Sequence, residues 1–173
     1  MTLVTTLREL NRQKVGTAIE ELHHSENDLV RELVSLSDRH RSDHEIFHVA
    51  RDIAGWSEEH LRRLARAGRD YGLDLEPEPP HGLSLVSRAK QKGAELAARR
   101  HEPSLVLLDG LRHLHQTAAG VSLDWEVLAQ TAQAVQDEEL LALTQACHPQ
   151  TLRQLRWANA MVKEISAQVM VAP

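Results

Sequence analysis

Glutamates and histidines at helical spacing are the residues of this chain that could do chemistry. Glu45 and His48 stand three apart, which places both side chains on one face of a helix, as a shared metal ion requires. Counting residues along the antiparallel helix pair proposed below puts them opposite Ser37 and Val34, where the partner helix offers no carboxylate. Glu45 and His48 are therefore a candidate metal pair whose further ligands are missing from the facing helix.

Glu26 is a second candidate because it falls on an apolar stripe. It lies between Leu22 and Leu29, where an unpaired carboxylate is costly to bury. The same counting places it opposite Trp56, with His60 one turn further along the second helix. We therefore expect a buried Glu26–His60 pair, either as part of a metal site or as part of a polar layer that fixes helix register.

Glu138 is the third candidate. It falls on a stripe in the second half of the chain, which comprises Val127, Thr131, Ala134, Leu141 and Gln145. A turn near Pro149 would place Glu138 opposite Asn159 on the last helix. The sequence thus predicts either a satisfied polar layer of Glu26, His60, Glu138 and Asn159, or a partial metal site built on the first three.

Two further groups carry weaker signals. His40, His44 and His48 recur every four residues, which raises a hemerythrin-like alternative, but a polar break at Ser42 favours solvated histidines. Cys147, the only cysteine, lies beside His148, but adjacency in the sequence does not show an oriented base, so nothing marks it as a nucleophile.

The elements that must position these residues are helices throughout. Apolar residues three and four apart predict a first helix from Thr6 to Ser37. Ser42 and Glu45 have capping-box spacing, so a second helix should begin there and stop at Gly72. The short turn between the two makes them an antiparallel hairpin.

The second half of the chain reads as a long connection followed by another hairpin. Residues 73–82 are rich in proline and predict an extended crossover. Two short helices, Ser84–Arg100 and Pro103–Ala119, follow it, and Gly120 is predicted to break the pattern. Ser122 should cap a helix to about Ala146, and Pro149 should open the last helix, to about Val169.

Composition limits the function classes. The 173 residues predict one domain, 1–173, and an aromatic content of 3% favours a core of aliphatic residues on packed helices. A net charge of −5 gives no basic footprint for nucleic acid, and no window is apolar enough to cross a membrane. The single cysteine and the lack of a signal-peptide pattern predict a reducing, cytoplasmic location.

This order of helices resembles the ferritin-like superfamily, and within it the small bacterial proteins of the YciE/YciF type. The resemblance implies an all-α, ferritin-like four-helix bundle of two antiparallel hairpins with a long crossover that carries the additional short helices. It also implies a site where glutamates on two helices and Glu-x-x-His on the other two hold iron or manganese. This chain departs from that pattern, because Arg62 follows Glu59 at the histidine position and the last helix has no Glu-x-x-His.

We therefore expect a ferritin-like bundle with a degenerate or partial metal site and a structural or stress-associated role, for which no enzymatic activity is required. The alternatives are an iron- or manganese-binding di-metal carboxylate oxidoreductase, and a protein-interaction module with an apolar patch around Trp56, Trp125 or Trp157. A homodimer is expected because hairpins of the ferritin-like type commonly associate.

Overall fold

The computed structural model describes residues 3–79 and 103–171, and this part of the chain contains four α-helices and no strands. α1 spans Leu3–Arg39, α2 His44–Asp70, α3 Pro103–Val135 and α4 Glu138–Val171. For these residues the prediction of an all-α four-helix bundle is confirmed. Within the same residues, no helix combines the length and the apolar character that a bilayer crossing requires.

The core is aliphatic, as the low aromatic content predicted. Each helix presents a row of fully buried side chains three and four residues apart, which is the pattern that packs helix on helix. The largest of them are leucines, together with two isoleucines and one tryptophan: Ile19, Leu22, Leu29, Leu33, Leu36, Ile46, Leu61, Leu64, Leu111, Leu114, Leu128 and Trp125. The predicted stripe of α1 is therefore the face that the bundle buries.

The α1–α2 turn lies where the polar stretch placed it, but its cap is Asp43 and not Ser42. Asp43 Oδ1 accepts a hydrogen bond from Ile46 N at 3.1 Å, which satisfies one free amide of the first turn. Ser37 of α1 donates from Oγ to Phe47 O at 2.8 Å, close to the pairing that residue counting predicted. The register of the first hairpin thus lies within two residues of the predicted one at this end, since counting placed Ser37 opposite Glu45.

Gly72 ends α2, as predicted, in a Schellman motif. Its φ is +80°, and the amides of Gly72 and Leu73 bond back to Arg69 O (3.0 Å) and Gly68 O (2.9 Å). The chain then returns along α1 and α2 without helical structure to residue 79, as predicted for this segment. Gly68 permits the close return, because a Cβ there would lie 3.1 Å from Leu75 Cδ1.

The rest of this connection cannot be compared with the prediction. Residues 80–82 of the predicted crossover and the predicted helix Ser84–Arg100 lie outside the described residues.

The predicted break at Gly120 is wrong, because α3 runs unbroken through it. Glycine inside a helix costs about 1 kcal/mol relative to alanine. The flanking residues Ala118 and Val121 are buried, and burial of this face outweighs that cost. Ser122 is consequently not a helix cap; its Oγ lies 2.8 Å from His148 Nε2 on α4.

The predicted turn near Pro149 is also wrong, because the second hairpin turns at Gln136 and Asp137. Gln136 has a φ of +58°, and the Asp137 amide bonds to Ala132 O at 2.9 Å, so α3 ends in a second Schellman motif. Asp137 then caps α4, with Oδ1 accepting from Leu140 N at 2.9 Å. Pro149 lies inside α4, where its ring removes one backbone donor without ending the helix.

Contacts along the bundle fix the direction of each helix. Gly110, near the start of α3, packs against Leu36 near the end of α1. Tyr71, which follows α2, bonds through its hydroxyl to Asp137, which follows α3. α3 is therefore antiparallel to α1 and parallel to α2. α2 and α4, which run in opposite directions, make the loosest of the four seams between neighbouring helices.

Candidate functional site

A polar layer crosses the middle of the bundle. We define it as Glu26 of α1, His60 of α2, Trp125 of α3, and Gln150 and Thr151 of α4, so every helix contributes. Glu26, His60, Trp125 and Thr151 are each 0% exposed. Burying a polar group costs free energy unless it forms hydrogen bonds inside the protein. The contacts within this layer therefore decide how much its burial costs.

Glu26 is the centre of the layer. Its Oε1 accepts hydrogen bonds from Trp125 Nε1 at 2.7 Å and Thr151 Oγ1 at 3.4 Å. The same oxygen lies 2.8 Å from His60 Nδ1. The imidazole also stands edge-on to the Trp125 ring, with centroids 5.4 Å apart. One carboxylate oxygen therefore joins α1 to the three other helices.

His60 bridges Glu26 and Gln150. Its Nε2 lies 2.8 Å from Gln150 Oε1, and its Nδ1 lies 2.8 Å from Glu26 Oε1. Both ring nitrogens thus have a partner inside the protein, which reduces the cost of burying the ring completely.

Gln154 extends the polar contacts one turn along α4. Its Nε2 donates to Ile53 O at 2.8 Å and to Ser57 Oγ at 2.9 Å, which ties α4 to α2 across their loose seam. Two buried oxygens of these side chains, Glu26 Oε2 and Gln154 Oε1, have no hydrogen-bond partner among the described residues. These are the acceptor positions that remain open in this part of the core.

Cys147 lies beside these contacts and is buried. Burial raises the pKa of its thiol to about 11, and the Glu26 carboxylate adds to the rise, while the Arg63 guanidinium opposes it. A nucleophilic cysteine needs a lowered pKa and access to solvent, and Cys147 has neither. The environment therefore makes it an unreactive core residue near neutral pH.

The structure brings together only part of the predicted set. Glu26 and His60 form the buried pair that the first hairpin's register predicted. Glu138 does not join them, because it is the first residue of α4 and is exposed at the end of the bundle. Glu45 and His48 are exposed near the start of α2, where the His48 ring lies 4.2 Å from the ring of His44.

Trp125, Gln150 and Thr151 are the members that sequence reasoning missed. The error follows from the wrong turn at Pro149, which shifted the pairing of α3 with α4 and put Asn159 where the α4 residues of the layer should be. One signal was available: Trp125 falls on the buried stripe of α3, and a buried indole N–H requires an acceptor.

A groove lies between α2 and α4 towards the end of the bundle that holds Tyr71. It has a volume of about 460 Å³, and its lining includes Arg63, Arg66, Asp137 and Glu139. Tyr71 donates its hydroxyl to Asp137, and burial together with this carboxylate raises the pKa of the phenol. The groove thus mixes both signs of charge.

Across residues 3–79 and 103–171, no group of three or more histidine, cysteine, aspartate or glutamate side chains is arranged to hold a metal ion. Comparison with protein-family models, curated proteins and solved structures yields no significant match. The function is therefore argued from the geometry of the chain's own residues.

Proposed function

We propose that this chain is a non-enzymatic, ferritin-like helical-bundle protein in which a hydrogen-bonded polar layer occupies the place of a metal centre. Its role on this proposal is structural or stress-associated, as the resemblance to the YciE/YciF type implies. The layer fixes the register of the four helices and does not perform chemistry.

The observation that carries the proposal is the set of donors aimed at Glu26. A metal ligand must offer lone pairs, and Trp125 Nε1 can only donate. The Thr151 hydroxyl is also directed at the carboxylate, and His60 has both ring nitrogens bonded to protein oxygens. A cation at Oε1 of Glu26 would have to displace these donors and leave the indole N–H buried without an acceptor.

The directions of the helices support the ferritin-like part of the proposal. α3 starts at the end of the bundle where α1 finishes, as the Gly110–Leu36 contact shows. α2 finishes at the other end, beside Tyr71 and Asp137. A long connection between two hairpins is the feature that distinguishes the ferritin-like arrangement from an up-down-up-down bundle. The net charge of −5 supports leaving nucleic acid out of the proposal, and the single cysteine supports a cytoplasmic location.

The alternative is an iron- or manganese-binding protein that uses the same glutamate. Two open acceptors favour it, Glu26 Oε2 and Gln154 Oε1, because oxygen atoms are the ligands that hard cations prefer. This alternative differs from the predicted di-metal oxidoreductase, since Glu138, Glu45 and His48 lie away from the layer.

Metal analysis of the protein purified without chelator separates the two functions. We expect well below one iron or manganese ion per chain, and no rise in the thermal midpoint when Fe²⁺ or Mn²⁺ is added, because a ligand that binds only the folded state must stabilise it. Stoichiometric metal that is lost in Glu26→Gln and retained in the matched surface variant Glu45→Gln would overturn the proposal and establish the alternative.

A further inference from the structure

Two histidines share one exposed face at the start of α2. His44 is the first residue of this helix and His48 follows four residues later, so the two imidazoles lie one turn apart on the same side. The ring centroids are 4.2 Å apart and the ring planes are tilted by 52°. Two nitrogens bound to one tetrahedral zinc ion, each at about 2.0–2.1 Å, lie about 3.4 Å apart. Rings at this separation and tilt can therefore present one nitrogen each to the same ion.

Neighbouring side chains hold the His48 ring in place. The ring stands edge-on to the Phe47 ring, with centroids 5.0 Å apart. The Arg51 guanidinium covers Phe47 at 4.7 Å from the ring centroid. Asp38 of α1 accepts hydrogen bonds from Arg51 at 2.6 Å and from Arg41 at 3.0 Å, so a carboxylate partly offsets both nearby cations. One ring of the pair is thus positioned before any ion binds, which lowers the cost of binding.

The ring nitrogens of the pair are available. Both side chains are exposed, and neither ring forms a hydrogen bond or an ion pair with a described residue. Nε2 of His40 is buried, and burial also removes the Cys147 thiol as a competing ligand. Six other described histidines each have a ring nitrogen within 3.8 Å of a protein oxygen: His23, His24, His60, His113, His115 and His148. Among the described residues, His44 and His48 are therefore the two exposed histidines whose rings bind no other group.

The charges around the pair favour a cation. The start of a helix carries about half a positive elementary charge, which opposes one. Three carboxylates lie within about one turn of the pair, those of Asp43, Glu45 and Asp52. Glu45 precedes His48 by three residues and Asp52 follows it by four, so both lie on the side of α2 that carries the imidazoles. Their combined negative charge exceeds the opposing charge of the helix.

We propose that His44 and His48 form a binding site for a divalent zinc ion on the surface of α2. Imidazole nitrogen is a ligand that zinc favours. In the described part of the chain no third histidine, cysteine or carboxylate is arranged with the pair to hold an ion, so water completes the coordination. Iron and manganese stand below zinc in affinity for nitrogen ligands, so the site is compatible with the low iron and manganese content expected above. It is independent of the polar layer and of the role proposed for Glu26.

The test is calorimetric titration of Zn²⁺ into the full chain, without an affinity tag, at neutral pH. We expect one ion per chain. His44→Gln and His48→Gln should each weaken binding at least about tenfold, because the helix holds the second imidazole at a high effective concentration. His24→Gln is the matched control. The His24 side chain is 77% exposed on α1 and has Asp28, not a second imidazole, four residues later, so its replacement should leave the affinity unchanged.

Urea unfolding gives a second measurement. Zn²⁺ should raise the urea midpoint of the unsubstituted chain, because only the folded helix brings the two rings together and a ligand of the folded state stabilises it. It should not raise the midpoint of His48→Gln. Circular dichroism without metal verifies that each variant is folded, as expected for substitutions of exposed residues.

The proposal fails if the chain shows no saturable Zn²⁺ binding, or if either His44→Gln or His48→Gln binds as tightly as the unsubstituted chain. It also fails if His24→Gln weakens binding equally, since any exposed histidine would then serve. Zn²⁺ binding that is lost in Glu26→Gln and retained in His48→Gln would place the ion in the polar layer, and would overturn both this proposal and the proposed function.

Discussion

The hydrogen bond from Trp125 Nε1 to Glu26 Oε1 lies at the centre of the polar layer, and Glu26→Leu tests how much stability it contributes. Leucine is close to glutamate in size, so the substitution removes acceptors without opening a large cavity. It leaves the Trp125 N–H buried without its acceptor and the His60 Nδ1 buried without its partner. Each stranded group costs about 1–3 kcal/mol, and breaking a buried pair by removing one partner costs about 3–5 kcal/mol.

We therefore expect Glu26→Leu to lower the free energy of unfolding by about 3–5 kcal/mol, a large share of the total for a domain of this size. Trp125→Phe removes the indole donor at its source. The double variant should lose about 1–3 kcal/mol less than the sum of the two single losses, because the indole N–H that Glu26→Leu leaves unpaired is then absent.

Urea unfolding followed by circular dichroism at neutral pH measures all three variants, with the exposed Glu21→Leu of α1 as the matched control. Glu21→Leu should change the free energy of unfolding by no more than about 0.5 kcal/mol. Additive effects of Glu26→Leu and Trp125→Phe, or a Glu26→Leu variant as stable as the control, would refute the reasoning that the carboxylate is held by the indole.

Three further predictions concern backbone and thiol. Gln136→Gly should stabilise the protein by about 0.5–1 kcal/mol in urea unfolding, because φ at this position is +58° and glycine adopts that region without strain; a loss of stability would contradict it. Gly68→Ala should gain less stability than Gly55→Ala, because its Cβ would lie 3.1 Å from Leu75 Cδ1 and 3.3 Å from Leu73 Cβ, whereas Gly55→Ala, with nothing within 4 Å, should stabilise by about 0.5–1 kcal/mol; equal thermal midpoints for the two variants would be inconsistent with the packing. Cys147 should react with iodoacetamide at pH 8 at least about a hundredfold more slowly in the folded than in the unfolded chain, because a pKa raised from 9.0 to about 11 reduces the thiolate fraction by that factor. The same pKa shift should lower the free energy of unfolding as the pH rises above about 9, because the unfolded thiol ionises first. Rapid alkylation of the folded protein at pH 8 would contradict this, because it would show that the thiol is accessible.

The first hairpin could be predicted because its signals agree. The polar stretch before Ile46 offers two neighbouring cap residues, Ser42 and Asp43. Choosing the wrong one shifts the predicted start of α2 by one residue only. With the turn known, equal rise along both helices sets the pairing, and Glu26 meets His60. Its place on an apolar stripe also required a partner, which made the glutamate the most informative residue of α1.

The second hairpin could not be predicted from its glycine and proline, because both residues lie inside helices here. Gly120 and Pro149 disfavour helix locally by about 1 and 3 kcal/mol, but the residues around them lie on buried faces whose packing outweighs those preferences. The signal that decides the turn is Asp137 followed by Glu138 and Glu139, which is an N-cap with acidic residues in the first turn. Without this turn, residue counting places Glu138 in the core and does not bring Gln150 and Thr151 to the polar layer.

The measurement that tests the central claim most directly is the Trp125 indole N–H resonance in ¹⁵N-labelled protein during titration with Mn²⁺. If the N–H is bonded to Glu26, its exchange with solvent is slow, and we expect equimolar paramagnetic Mn²⁺ to leave it as sharp as the Trp56 and Trp157 indole resonances. In Glu26→Leu the Trp125 resonance should shift, because its acceptor is gone. Selective broadening of the Trp125 resonance at one Mn²⁺ per chain, abolished in Glu26→Leu, would contradict the claim and place a metal ion in the layer.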